Sequence, residues 1–300
     1  MNFTTKKFGA IDIGSNAVRL LISNIIEAEG NKPQFRKSSL VRVPIRLGAD
    51  VFLTKRISDE NIQRMIDTME AFKLLMRSHK VVDYMACATS AMRESDNGAE
   101  VAQKIEEQTG VKIRIIDGSD EASIIANTDL QSLIDSERTY LYVDVGGGST
   151  EFTFYSDAQV VASRSFKLGT VRLLQDSVGQ GVWDEVENWI KEQSAPFKRI
   201  ELIGSGGNIN KIFKLSGRKE GKALTYFFML SFFEDIQSYS YEERIVDLGL
   251  NLDRADVIIP ATRIYLSAMK WAKAKNIYVP KIGLSDGIIK SLYYNRNNLE

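Results

Sequence analysis

Asp144 stands where a short apolar run, Tyr140 to Val143, meets three consecutive glycines, Gly146 to Gly148, and then Ser149. Glycine reaches positive φ at no steric cost and lets a backbone come close to a ligand, so such a turn presents a concave set of N–H donors. A carboxylate beside that nest suits a metal-bridged phosphate, because hard cations take oxygen ligands. Beyond the turn, Glu151 to Tyr155 alternates polar and aromatic residues as a second strand does, and Glu151 adds another carboxylate. A dinucleotide loop or a P-loop must run from its glycines into a helix. Here a strand follows, and the P-loop lysine is missing, so the reading is a strand-turn-strand phosphate loop.

The pattern occurs twice. Phe8 to Ile13 is apolar except at Asp12, then come Gly14, Ser15 and Asn16, then a second apolar run from Val18 to Ile22. Two similar hairpins in one chain suggest a duplicated domain with a ligand held in an interdomain cleft, the arrangement of the actin, Hsp70 and sugar-kinase superfamily.

Two further clusters follow predicted strands. Ser90 to Arg93 comes after the apolar run Val81–Thr89, and Ser119 to Glu121 after Val111–Ile116. The C-terminal ends of strands are where open α/β sheets bind ligands. Arg93 could grip a phosphoryl oxygen through two donors. Glu121 opens a helix expected from near Asp120 to about Asp135; the positive helix end favours its ionised form by about 0.3–1 kcal/mol. An ionised carboxylate there can orient and deprotonate a water. Lys211, Lys214, Arg218, Lys219 and Lys222 face only Glu220 within a short span, which reads either as a track for an extended polyphosphate or as a solvated helix end.

The elements that must position these residues alternate. Phe35 to Phe52 reads as a strand region, Ser58 as the cap of a helix with 3/4-spaced Ile62, Met65, Ile66, Met69, Phe72 and Met76, and Asn97 to Thr109 as a helix stopped by Gly110. Helices are also expected over Trp183–Gln193, after Asn208, from Ser240 with Glu243 as a capping box, and over Asp253–Lys275, where Pro260 allows a break or kink. Asp117 to Ser119 is expected to form the turn and cap of the Glu121 helix, Ile277–Gly283 to be a strand, and Ser285 to start a closing helix. The class is α/β with mixed sheets, divided near 125–138 into domain I, 1–130, and domain II, 131–284.

Composition narrows the function. Over 300 residues, 44% hydrophobic and 26% charged content are those of a globular protein, and 39 basic residues balance 39 acidic ones. Global charge therefore gives no reason to expect nucleic acid as a partner. Cys87 is the only cysteine and His79 the only histidine, which excludes an internal disulfide, a poly-histidine metal site and a Ser-His-Asp triad. No apolar run reaches spanning length, so no membrane partner is expected and the cytoplasm is the expected location.

With these residues in view, the chain resembles the exopolyphosphatase and guanosine pentaphosphate phosphatase (Ppx/GppA) family. The likeness runs through Ala10–Leu20, Ala88–Arg93, Gly118–Ala122, Val143–Glu151, Leu168–Arg172, Gly204–Gly207, Arg254–Asp256 with Pro260, and Leu284–Gly287. The resemblance implies two actin-like (ribonuclease H-like) domains in the short form of the family, with a last helix, about 285–300, returning to domain I. It implies a hydrolase that releases terminal phosphate from polyphosphate or guanosine pentaphosphate, with Mg²⁺ or Mn²⁺ as cofactor. Glu121 becomes the catalytic base; Gly14, Ser15, Asn16, Arg93, Gly146, Gly147, Gly148 and Ser149 the phosphate binders. Asp144, Glu151 and Asp12 become the metal ligands, and Gly206, Gly207, Asn208, Lys211 and Lys214 the nucleotide or substrate rim. A homodimer is left open. An ATP-using phosphotransferase and a non-catalytic (p)ppGpp or nucleotide sensor are the alternatives. Three departures bear on substrate choice: Ala49 with Asp50 where the family often has Glu-Gly, Asn208 for threonine, and Ala261 for glycine.

Overall fold

The computed structural model describes residues 3–126, 128 and 138–297. The chain divides into two compact units, Met1–Thr128 with Leu284–Glu300, and Asp129–Gly283.

Unit 1 is built on a five-stranded mixed sheet of β1 (Phe3–Ile13), β2 (Val18–Ala28), β3 (Gln34–Val43), β4 (Asp83–Ala88) and β5 (Ile113–Ile115), in the order β3-β2-β1-β4-β5. The first three are antiparallel, and β1, β4 and β5 are parallel. Unit 2 repeats the plan with β6 (Thr139–Val145), β7 (Thr150–Ser156), β8 (Gln159–Phe166), β9 (Ile200–Ser205), β10 (Leu224–Thr225) and β11 (Asn276–Tyr278), ordered β10-β11-β9-β6-β7-β8. Again an antiparallel three-strand meander leads and parallel strands follow, here β6, β9 and β11. The duplication read from two hairpins thus extends to whole sheets. In each unit the parallel strands end on one edge, which gathers the polar loops.

Helices cover these sheets. Unit 1 carries α1 (Leu47–Thr54), α2 (Asp59–Ser78), α3 (Ser90–Glu94), α4 (Gly98–Thr109), α5 (Gly118–Ala126) and α13 (Leu284–Asn297). Unit 2 carries α6 (Thr170–Leu174), α7 (Gln180–Ser194), α8 (Gly207–Leu215), α9 (Tyr226–Ser238), α10 (Tyr241–Val246), α11 (Leu252–Ala255) and α12 (Ile258–Trp271). The 3/4-spaced residues of α2 are all buried, as that spacing requires. In unit 2, Phe152, Phe154, Phe166 and Trp189 form an aromatic knot between sheet and helix.

Several elements differ from expectation. The strand region expected over Phe35–Phe52 ends at Val43, and α1 follows. Arg46, at φ 61°, turns the chain there, and the Gly48 N–H donates to the Ser15 carbonyl at 2.8 Å, so contacts to the first loop set this helix. The helix expected over Asp253–Lys275 is broken after Ala255, and Pro260 lies in the first turn of the second piece, α12, where a missing N–H matters little. The strand after Asn276 stops at Tyr278. Within the Asp117–Ser119 turn it is Asp117 that caps α5: its Oδ1 accepts from the Asp120 N–H at 2.8 Å. The stretch of that helix expected up to Asp135 lies outside the described residues. The Ser240 and Glu243 capping box forms.

Asp50 is held by Ser58 and Asn61. Its Oδ2 accepts from Ser58 Oγ at 2.6 Å, the Ser58 N–H at 3.1 Å and Asn61 Nδ2 at 2.8 Å. Burial raises its pKa, but the hydrogen bonds from Ser58 and Asn61 outweigh it, and the pKa ends below the usual aspartate value. A depressed carboxylate stabilises the fold above its unfolded pKa, and loses that contribution as pH falls through the lower folded value. Ser58 Oγ also accepts from the Asn61 N–H, so Ser58→Ala is expected to lower stability by about 1 kcal/mol. Denaturant midpoints should show this loss at pH 7, and a smaller loss once acid has protonated Asp50.

Candidate active site

The two hairpins have one geometry. In unit 1, Asp12 pairs with Arg19 and Ile13 with Val18 across β1 and β2, leaving a four-residue loop, Gly14 to Ala17, closed by Gly14 N–H to Ala17 O at 3.1 Å. In unit 2, Asp144 pairs with Glu151 and Val145 with Thr150, and the loop Gly146 to Ser149 closes by Gly146 N–H to Ser149 O at 2.9 Å. Residues directly opposite on antiparallel strands share a face of the sheet. One hairpin therefore faces an aspartate with an arginine, and the other faces an aspartate with a glutamate.

That difference decides the chemistry of each loop. Asp12 is buried and forms a 2.8 Å ion pair with Arg19. Asp144 and Glu151 instead bring two carboxylates together, each steadied by hydroxyl donors. Glu151, 3% exposed, accepts at Oε1 from Ser149 Oγ at 2.6 Å and Ser165 Oγ at 2.9 Å. Asp144 Oδ2 lies 3.1 Å from Ser205 Oγ and 3.4 Å from the Tyr142 hydroxyl. Burial, with the Asp144 charge adding to it, pushes the phenols of Tyr142 and Tyr265 well above their usual range. Both remain protonated donors, and the Tyr265 hydroxyl donates a hydrogen bond to the Ser205 carbonyl.

The glycine loop is gripped from one side. The Thr170 N–H donates to Gly146 O at 3.0 Å, the Val171 N–H to Gly147 O at 2.9 Å, and Arg172 Nε to Gly148 O at 2.6 Å. All three glycine carbonyls are thus bound by the start of α6 and Arg172, which fixes the course of the loop. Gly169 permits this closeness, since a Cβ there would stand 2.3 Å from Gly147 O.

The remaining clusters of unit 1 meet at its sheet edge. Ser15 Oγ and Ser90 Oγ are 2.9 Å apart and buried, which ties the first loop to the start of α3. Arg93 donates from Nη1 to Ile116 O at 2.7 Å, leaving other donors of its fork for a ligand. That carbonyl ends the segment leading into α5, so Arg93 is fixed near the helix that carries Glu121. Glu121 is buried at 8% exposure in the first turn of α5. Its neighbour Asp120 pairs outward with Arg114 at 3.4 Å. Helix α13 presses on α5: a Cβ on Gly287 would lie 2.2 Å from Ile124 O. Cys87 lies beside Asp12 in the sheet, and burial pushes its thiol up to about 12, so it is no nucleophile at neutral pH.

Asp144 and Glu151 offer the oxygen donors that a hard divalent cation takes. The donors are carboxylate oxygens, and Gly206, at φ 112°, leaves open the space where a Cβ would come 3.3 Å from Asp144 Oδ1. Among the described residues no group of three or more His, Cys, Asp or Glu gathers to hold a metal. Two carboxylates with waters and substrate oxygens making up the rest is the usual way Mg²⁺ is held.

The sequence model of the Ppx/GppA phosphatase family matches residues 38–295. The chain belongs to the Ppx/GppA phosphatase family. Among similar proteins, Exopolyphosphatase 1 of Mycobacterium tuberculosis is 23% identical over 94% of this chain and 87% of its own. A bifunctional 3-dehydroquinate synthase/phosphatase of Fusobacterium nucleatum is 29% identical over 66% of this chain, but the match spans only 32% of that longer protein. The exopolyphosphatase of Cytophaga hutchinsonii superposes with a TM-score of 0.84 at 23% identity, covering 98% of this chain and 99% of the other. A Ppx/GppA family member from Aquifex aeolicus superposes with a TM-score of 0.76 at 24% identity and the same coverage. The two-domain α/β fold is thus that of Ppx/GppA proteins, and the phosphatase class comes with the family.

Placed on this Ppx/GppA fold, the expected rim is partly committed to structure. Gly206 and Gly207 start α8, and Arg254 Nη1 holds the Gly207 carbonyl at 2.9 Å; Asn208 lies half-buried in the first turn. Lys211 donates to Gly249 O at 2.9 Å, and burial first, then the charges of Lys214 and Arg254, lower its pKa. Arg218 caps Ala223 O. Lys214, Lys219 and Lys222 are exposed. Ser165, Ser205 and Tyr265, which steady the two carboxylates or their surroundings, carry no sequence signal by themselves. Arg172 was visible within the Leu168–Arg172 motif.

Proposed function

We propose that this protein is a Mg²⁺-dependent phosphoanhydride hydrolase that removes the terminal phosphate of inorganic polyphosphate, with guanosine pentaphosphate as a second substrate carrying the same bond. The facing carboxylates of Asp144 and Glu151, beside a glycine loop whose carbonyls are all tied back, carry this reading. The name of the mycobacterial relatives supports polyphosphate as the first substrate.

Unit 1 supplies Glu121 to take the proton of an attacking water, and Arg93 to hold phosphoryl oxygens through its remaining donors. Ser15, Asn16 and Gly147 to Ser149 act through backbone N–H groups, while the N–H groups of Gly14 and Gly146 close the two loops. The Ser15 hydroxyl is committed to Ser90, and the Ser149 hydroxyl to Glu151. Asp144, with Glu151 as helper, holds Mg²⁺, which when bound neutralises charge on the phosphates. Asp12, already paired with Arg19, keeps that arginine oriented and is a weaker candidate for the metal. Phosphoryl transfer needs mainly positioning and charge neutralisation, and these groups supply both.

The deciding experiment measures phosphate release from polyphosphate and from guanosine pentaphosphate side by side, without an added acceptor. Release from either supports a hydrolase. Release only with an acceptor indicates a phosphotransferase, and saturable nucleotide binding without release a sensor. For the metal, Asp144→Asn is expected to raise the Mg²⁺ concentration for half-maximal activity by about 10–100-fold, the range seen when support of a metal ligand is lost. An unchanged Mg²⁺ titration would move the metal to other residues.

A further inference from the structure

Unit 2 contains a hollow of about 630 Å³ that shares no residue with the candidate active site. It lies where β10 and β11 pair, between the start of α9 and the end of α12. Met269 and Ala274 are buried at its floor, while the stems of Lys270, Lys273 and Lys275 line its side. Tyr226 and Phe227 complete the wall, their rings edge to face with centroids 6.5 Å apart. Phe227 is 82% exposed.

Three properties of this hollow point to one kind of ligand. Its volume is that of a small-molecule site. Its charge has one sign, since three lysines line it and no acid does. Among the described residues no carboxylate pairs with Lys270, Lys273 or Lys275 within ion-pair distance. An apolar floor beside the exposed Phe227 ring and the half-buried Tyr226 ring favours a flat ring, and the lysines favour an anion joined to it. The wall is also pre-formed, because the Tyr226 N–H donates to Lys275 O at 2.9 Å and Thr225 Oγ1 caps α9 through the Phe228 N–H at 3.2 Å. The positive end of α9, a 13-residue helix, adds to the same potential. A bare phosphate would leave floor and rings unused, and a neutral aromatic would leave the lysines facing one another.

We propose that this hollow is a second ligand site, which takes a small anion bearing a flat ring, of the chemical class of nucleoside diphosphates. The ring rests against Phe227 and Tyr226 over Met269, and the phosphates meet Lys270, Lys273 and Lys275. Such a site lets a soluble nucleotide bind unit 2 without entering the phosphate loops.

The Met269 methyl group reports on this site alone. In protein labelled at its methionine methyls, the Met269 signal is identified by its loss in Met269→Leu, and adenosine diphosphate, adenosine and inorganic phosphate are titrated separately. Adenosine diphosphate is expected to shift that signal saturably with a midpoint of about 0.1–1 mM, with adenosine and phosphate each about tenfold weaker. Phe227→Ala, and Lys270→Gln combined with Lys275→Gln, change exposed side chains and are expected to fold normally. Each should weaken the titration about tenfold. No saturable shift up to about 10 mM adenosine diphosphate would overturn the proposal. So would an equal response to phosphate alone, or unchanged curves in both variants. None of these outcomes touches the phosphate-release assay, so the two proposals fail separately.

Discussion

Glu121→Gln is expected to lower the turnover of phosphate release by about 10²–10⁴-fold, with KM nearly unchanged. The substitution keeps the shape of the side chain and removes its capacity to accept a proton, and general-base contributions have this size. Glu121 is buried in the first turn of α5, in a unit whose neighbouring loops carry Arg93 and the first phosphate hairpin. Asp120, one residue earlier, serves as control. It too stands in the first turn of α5, yet it is paired outward with Arg114 at 46% side-chain exposure. An exposed pair of this kind contributes little, about 0–1 kcal/mol. Asp120→Asn should therefore leave turnover within about twofold. If both variants lose activity alike, the helix-end charge matters and Glu121 is not the base. If Glu121→Gln turns over like wild type, the assignment is wrong.

Gly169→Ala should also be severe, for a steric reason. The added Cβ would stand 2.3 Å from Gly147 O and 2.5 Å from the carbonyl carbons of Gly147 and Gly148. Backbone on both sides must move, and the loop that moves is the one that presents N–H groups beside Asp144 and Glu151. Overpacking of this kind costs about 1–3 kcal/mol of stability. A displacement near 1 Å at a catalytic centre can cost about 100-fold in rate. Thermal melting and phosphate release together separate the two effects. A melting point and a rate both equal to wild type would mean that the 169–172 grip does not position the loop.

What the sequence revealed, and what it hid, follows from where the determining forces lie. Both hairpins were legible because an aspartate, glycines and flanking apolar runs are local signals, and the register confirmed them pair for pair. Strand β8 was missed. The turn before it uses Asp157 and Ala158, both at positive φ, 51° and 59°. Glycine normally marks the second of these positions, and alanine hides it. Half of β8 is solvated at the sheet edge, so its apolar signal was weak as well. Helix α9 was missed because Phe227, Phe228, Phe232 and Phe233 obscure any polar face, although Thr225 did provide a cap. Helix α1 was taken for strand because its start depends on Arg46 at positive φ and on the carbonyls of Ser15 and Asn16, distant in sequence. For the site, residue types identified the carboxylates and the arginine. The fact that Asp12 faces Arg19 while Asp144 faces Glu151 came only from strand pairing.

The pressing of α13 on α5 has a consequence for how the protein comes into being on the ribosome. Unit 1 is discontinuous: Leu284 onward emerges only after the whole of the second unit, which itself follows Thr128. At about 5–20 residues per second, synthesis of the intervening unit takes roughly ten to thirty seconds. Throughout that interval α5 has been made while Gly287, which seats against Ile124, has not. The second unit is contiguous and can fold whole during the wait. Glu121 is thus made before the second unit, yet the contact that seats its helix forms only after that unit is complete, so in a nascent chain α5 waits for its packing partner.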